Sequence, residues 1–281
     1  MAGLLRSAGV VLVGGRSSRM GTAKAELEWH GSTLLRRTLG VLDRSLEGPL
    51  LVVRSPGQPL PEIPPHVHVV DDAEQGRGPL QGIAAGLAAL AGRTHTAFIC
   101  STDLPFLHPA FVRRVLTALT DDIDVVLPVA HGYPQPLAAA YRTTIASRVA
   151  GLLAAGELRL NLLFGQCATR RVDEATLLAD PVLATADPAL DSLVNVNAPA
   201  EYHAARRRLA PQITVARSGA KDHSGRRTIR AATLAGAAAE VGLALHSRLI
   251  TTLNGEVIGH DGDVPLVTGD TVAFDCAAAG G

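Results

Sequence analysis

Short apolar runs, set apart by longer stretches of mixed polarity, mark the first two-thirds of the chain: residues 10–13, 50–53, 67–70, 97–100 and 125–128. Each has the length of a buried strand, and most are separated by segments with helical spacing. Strands alternating with helices predict an α/β fold with a mostly parallel sheet and helices on both faces, because parallel neighbours need crossovers that cover the sheet. Pro79 suits the first position of a helix running to Leu90. Further helices are expected from Ala138 towards Leu153 and from Glu201 to Leu209. Residues 193–199 alternate apolar and amide side chains, which predicts a strand with Asn195 and Asn197 on one face and Val194 and Val196 on the other. Behind the breaker Ala210-Pro211-Gln212 the plan changes. Residues 213–216 and 228–230 alternate like a hairpin, 233–241 read as helix, 249–258 form a hairpin about Asn254-Gly255, and 266–274 form a turn and a last strand. Two domains follow, 1–208 and 212–281.

Composition narrows the class. With 281 residues, 47% of them apolar, the chain buries a large core; only 3% are aromatic, so that core is built from Ala, Leu and Val. Net charge is zero and no Lys/Arg cluster interleaves with aromatic residues, which argues against nucleic acid as a partner. Cys100, Cys167 and Cys276 make no CxxC pair, and there is no leader-like or membrane-length apolar segment, so a cytoplasmic location without membrane attachment is expected. The ten histidines are scattered; His66 and His68 read as ordinary polar positions, and Arg206-Arg207-Arg208 as a solvated helix end favoured by the dipole.

Ligands of parallel sheets collect at the carboxyl ends of the strands. After the first run comes Gly14-Gly15-Arg16-Ser17-Ser18-Arg19-Met20-Gly21-Thr22-Ala23-Lys24. Its glycines let backbone N–H groups approach a phosphate, and Arg19 and Lys24 bring neutralising charge. The string fits neither the P-loop nor the Rossmann fingerprint, so as bare pattern it also reads as a surface Gly/Ser loop. Asp103, in Ser101-Thr102-Asp103-Leu104-Pro105, reads either as a helix cap or turn residue or as an oxygen ligand for a hard divalent cation. Asp71, with the backbone at Gly78 and Gly82, reads as the border of a purine pocket, where a carboxylate accepts the N1–H and 2-amino hydrogens of guanine. The alternative for Gly82 and Gly86 is close helix–sheet packing.

The string from Leu12 to Gly21, followed by Lys24, resembles the signature of the MobA-like nucleotidyltransferases, the family of molybdenum cofactor guanylyltransferase. The resemblance implies a Rossmann-like domain in which Leu12, Gly14 and Gly15 border the nucleotide and Arg19 and Lys24 hold the triphosphate. It makes Asp103 of the Asp-x-Pro motif a Mg²⁺ ligand and sets Asn197, in Asn-x-Asn-x-Pro, beside metal and acceptor. Gly14-Gly15 and Gly78-Pro79-Leu80-Gln81-Gly82 resemble the guanylyl-transferring rather than the cytidylyl-transferring relatives. Three positions depart from the pattern: Ala23 stands where Asp is frequent, no amide side chain stands about Arg54, and Gln135 stands where His is frequent. The implied reaction transfers GMP from GTP to molybdenum-molybdopterin and releases pyrophosphate. The alternatives are a CTP-using or other nucleotidyltransferase, and a non-catalytic first domain. Leu266-x-x-Gly269-Asp270-x-Val272 and the final Gly280-Gly281 resemble the MoaD/ThiS-like β-grasp sulfur carriers, small α+β ubiquitin-like domains. That resemblance implies a carrier-activating enzyme and the large subunit of molybdopterin synthase as partners.

Overall fold

The computed structural model describes residues 5–13, 23–73, 77–217, 226–247 and 249–276. The chain divides into two compact units, Met1–Leu27 with Thr33–Tyr202, and Glu28–Ser32 with His203–Gly281. In chain order the strands of the first part are β1 (Ala8–Leu12), β2 (Glu28–Trp29), β3 (Ser32–Thr33), β4 (Leu50–Arg54), β5 (His68–Asp71), β6 (Thr96–Ser101), β7 (Val125–Ala130), β8 (Tyr133–Pro134), β9 (Ala138–Arg142) and β10 (Thr169–Val172). β2 and β3 pair only with each other.

The first unit is built on an eight-stranded sheet in the order β10-β7-β9-β6-β1-β4-β5, with β8 paired to β7. Neighbours are parallel except where β9 lies between β6 and β7, antiparallel to both, and at the β7/β8 ribbon. Two antiparallel steps restore direction, so β1, β4, β5, β6, β7 and β10 all end at one edge. Consecutive apolar residues in each strand serve opposite faces. Val11, Val52 and Phe98 pack under Leu35, Leu39 and Phe111, while Val10, Leu51 and Ile99 pack under Leu80, Ile83 and Leu87. Burial on both faces explains why the strands read as unbroken apolar runs.

Two local expectations are corrected. The segment from Ala138 is not helix but strand β9, followed by a 3-10 turn, Thr143–Ile145, and a helix, Ala146–Ala154. Its Ala-Ala-Ala-Tyr run favours helix locally, but small side chains also fit a strand hydrogen-bonded on both sides and buried on both faces, and that pairing overrides propensity. Residues 193–199 are not a strand either. A 3-10 turn, Asp191–Leu193, leads into a loop in which Val196 N–H donates to the Asp103 carbonyl at 3.0 Å. Leu193 and Val196 are buried while Val194 is not, a spacing that no two-residue alternation satisfies.

Beyond residue 211 the second unit carries β11 (Gln212–Arg217), β12 (Arg226–Arg230), β13 (Leu249–Leu253), β14 (Glu256–Ile258) and β15 (Thr271–Cys276), and among the described residues there one helix, Leu234–Glu240, follows β12. Their order is β12-β11-β15-β13-β14, with β11 and β15 parallel and every other pair antiparallel. Ile213, Val215, Val272 and Phe274 form its core with Leu234 and Ala237. The Asn254-Gly255 turn has both residues at positive φ, 54° and 89°, the backbone a two-residue hairpin demands. Asp270, 3% exposed, takes the Asn254 amide at 2.9 Å and the Val267 N–H at 2.8 Å. The Gly-Asp motif therefore ties two turns together. Arg206 is not a solvated cation: it pairs with Glu28 and, at 2.8 Å, with His30 Nδ1. His66 and His68 face Asp43 and Arg93, consistent with plain polar positions.

Candidate active site

Three segments far apart in sequence converge at the carboxyl edge of the first sheet. The short 3-10 turn Lys24–Glu26 presents Lys24, the end of β6 presents Ser101 and Asp103, and the loop before helix Pro199–Arg206 presents Asn197. Lys24 Nζ donates to Asp103 Oδ2 at 3.1 Å and to Asn197 Oδ1 at 2.8 Å. Ser101 Oγ donates to Asp103 Oδ1. Asp103 is thus no helix cap: its carboxylate takes side-chain donors, and the next helix, Pro109–Thr117, is capped by His108. Both Lys24 and Asp103 side chains are partly open, at 23% and 15% exposure, so a solute reaches them.

Four supporting residues escaped the sequence reading. Glu201 accepts from the N–H groups of Asn197 at 2.6 Å and Ala198 at 3.1 Å, which fixes the loop that carries Asn197. With Pro199 at the first helical position and Glu201 at the third, this is capping-box spacing, a signal present in the sequence. Arg37, 6% exposed on the helix Leu34–Asp43, donates through Nε to the Pro105 carbonyl and braces the Asp103 loop from below. The other two lie at the β4/β5 corner. Arg54 Nε donates to Asp71 Oδ1 at 2.7 Å, and Arg54 Nη1 to the Gln58 carbonyl at 2.9 Å. Gln58 turns back through Ser55-Pro56-Gly57, donates to the Val13 carbonyl at 3.1 Å and accepts from Ser55 N–H at 3.3 Å. The amide side chain at this corner is thus that of Gln58, four residues beyond Arg54.

The remaining candidates are placed as follows. Leu12 is buried on β1, and a Cβ on Gly82 would stand 3.2 Å from Leu12 Cδ1, so Gly82 lies against that strand. Gly78 caps helix Pro79–Ala89 at φ 78°, a conformation that favours glycine. Gln135 N–H donates to the Pro128 carbonyl at 2.8 Å, holding the ribbon after β7. Gly14, Gly15, Arg19, Gly280 and Gly281 lie outside the described residues. Burial first, and the Asp103 carboxylate second, push the Cys100 thiol far above its ordinary range; it is a neutral packing group beside the site, not a nucleophile. Among the described residues no group of three or more His, Cys, Asp and Glu side chains could hold a metal. A cation here would rest on the Asp103 carboxylate and the Asn197 amide oxygen.

Residues 9–167 match the MobA-like NTP transferase domain family. The chain belongs to that family. The probable molybdenum cofactor guanylyltransferase of Mycobacterium tuberculosis (strain ATCC 25618 / H37Rv) is 38% identical over 201 residues, 70% of this chain and 92% of the relative. The protein of the same name from Mycobacterium marinum is 40% identical over 169 residues, 59% of this chain and 82% of its own. This member of the family is accordingly an enzyme of the nucleotidyltransferase type. Among solved structures, molybdopterin-guanine dinucleotide biosynthesis protein A from Archaeoglobus fulgidus superimposes with a TM-score of 0.54 at 22% identity, covering 71% of this chain and 96% of that one. The 2-C-methyl-D-erythritol 4-phosphate cytidylyltransferase from Thermus thermophilus gives 0.52 at 16%, covering 72% and 98%. At such identities they establish the fold alone. Among the described residues no helix is long and apolar enough to cross a membrane.

Proposed function

We propose that residues 1–208 transfer GMP from GTP to molybdenum-molybdopterin, forming the guanine dinucleotide cofactor and releasing pyrophosphate. The observation that carries the reading is Lys24 Nζ held between Asp103 and Asn197 at the edge where parallel strands end. An oxygen of the acceptor's terminal phosphate bonds to the α-phosphorus of GTP as the bond to pyrophosphate breaks, in line, with no covalent enzyme intermediate. Such a reaction needs alignment and charge stabilisation. In this reading Lys24 neutralises non-bridging and leaving oxygens, with Arg19 assigned the same task from the glycine loop at Gly14-Gly15. Asp71 is assigned the guanine edge.

Asp103 and Asn197 suit Mg²⁺, because one carboxylate and one amide oxygen already converge on a cationic nitrogen, and Mg²⁺ takes few protein oxygens beside phosphates and water. When bound, the ion would neutralise charge on the phosphates. Pyrophosphate release, measured with molybdenum-loaded pterin and each of the four nucleotides, tests the assignment; GTP alone should support turnover. Turnover with CTP instead would make the enzyme a cytidylyltransferase.

Residues 212–281 are proposed to be a β-grasp sulfur carrier. The observation favouring this is the strand order: two hairpins lie on either side of a central strand, β15, which is parallel to β11, and among the described residues one helix follows the second strand. The partners implied are a carrier-activating enzyme and a molybdopterin-forming synthase subunit.

A further inference from the structure

Arg54 and Asp71 are register partners on neighbouring parallel strands, at the edge where the glycine loop leaves β1. The pair is open: the side chains are 28% and 52% exposed. Exposed ion pairs contribute only about 0–1 kcal/mol to stability, so holding β4 to β5, which already pair along four residues, gives a weak reason for the arrangement. The arrangement itself is specific. Nε is spent on Asp71 Oδ1 and Nη1 on the Gln58 carbonyl, while Nη2 and Asp71 Oδ2 have no partner among the described residues. Because Arg54 grips Oδ1, that oxygen is the one beside the guanidinium, and it keeps a second lone pair. The corner therefore presents, in order, a donor, an acceptor and a second acceptor.

We infer that Arg54 reads the base together with Asp71: Nη2 donates to O6 of guanine while Oδ1 and Oδ2 accept from N1–H and the 2-amino group. This deepens the guanylyl reading above and rests on it. The order of groups decides the base. Guanine offers acceptor, donor, donor along that edge and meets all three. Cytosine offers donor, acceptor, acceptor and meets none in this direction, adenine sets its amino group against Nη2, and uracil leaves a carbonyl facing Oδ2. Gln58 acts through Arg54 as a positioning residue: its carbonyl fixes Nη1, and its side chain anchors the turn to Val13.

The test is nucleotide binding by calorimetry, with and without substitution at Arg54. The probe is 6-thio-GTP, which keeps N1–H and the 2-amino group but replaces O6 with sulfur, a weak acceptor. The unsubstituted protein should bind GTP about tenfold more tightly than 6-thio-GTP, within the range for a hydrogen bond to a charged group. Arg54→Met should weaken GTP binding by about the same factor and leave 6-thio-GTP nearly unchanged, so that the ratio falls to about one. Asp71→Asn should instead erase the preference of GTP over ITP, which lacks the 2-amino group. If Arg54→Met weakens GTP and 6-thio-GTP equally, or neither, Arg54 merely holds the carboxylate and the inference fails while the guanine assignment survives. If the unsubstituted protein binds CTP as tightly as GTP, the guanine assignment falls and takes the inference with it, before any variant is made.

Discussion

At the scale of single residues, the site depends on one cation shared by two oxygens. Lys24→Ala should lower kcat/KM in pyrophosphate release by about a hundredfold, the cost of losing one preorganised electrostatic group. Its effect on thermal unfolding should be small, because the pair with Asp103 is partly exposed. Unchanged turnover would return Lys24 to the surface. Asp103→Asn keeps the shape, and its remaining carbonyl oxygen can still accept from Ser101, but the substitution removes the anion. Activity should then need far more magnesium, as a titration of turnover against the ion will show. No shift in that titration would leave Asp103 only as Lys24's partner. Lys24 and Asp103 stand out in the sequence because each lies in a segment that follows an apolar run, and Asn197 stands out only through the resemblance of its Asn-x-Asn-x-Pro motif; that the three side chains meet is visible in the structure alone. The Arg54–Asp71 pair and the Gln58 turn do not stand out in the sequence, because their meaning lies in a register match between strands that no local pattern encodes.

At the scale of elements, the helix Pro79–Ala89 rests on β1 through its glycines. A Cβ on Gly86 would stand 2.8 Å from Val10 Cγ1, and Val10 is fully buried at the centre of the sheet. Alanine gains about 1 kcal/mol of helix propensity over glycine, but overpacking costs about 1–3 kcal/mol where neighbours cannot yield. We therefore expect Gly86→Ala to lower the unfolding midpoint in denaturant, with the slope unchanged; a raised midpoint would mean that the helix shifts freely on the sheet. The same element shows what sequence patterns carry well. Pro79 at the first helical position and apolar residues facing the sheet mark it from end to end. β9 was opaque for the converse reason. A run of alanines with one tyrosine has no period of its own, and only its slot between β6 and β7 makes it a strand. The loop to Asn197 breaks the two-residue alternation because its buried residues, Leu193 and Val196, stand three apart.

At the scale of the whole molecule, the two units have separate cores, so their chemistries should be separable. One core is formed on both faces of the parallel sheet, and the other by Ile213, Val215, Val272 and Phe274 with Leu234 and Ala237. The order of elements in the second unit was legible because its turns are written in residues that only turns require: Asn254-Gly255 at positive φ, and Gly269 at φ 89° before the buried Asp270. If this unit carries sulfur, the carboxylate of Gly281 is the group that is adenylated and then converted to a thiocarboxylate, with ATP supplying the activation and a sulfur donor the atom. Intact-mass measurement of the isolated protein first establishes whether Gly281 is its last residue. Incubation with a carrier-activating enzyme, ATP and a sulfur source should then replace one oxygen by sulfur. Deletion of Gly280 and Gly281 should abolish that mass change and leave GTP-dependent pyrophosphate release intact, since no residue assigned to the nucleotide lies beyond Asn197. A chain whose mass never changes is not a carrier, and the second unit would then retain only its fold. Loss of GTP turnover on the same deletion would show that the two chemistries are not independent, against the division of the chain into two cores.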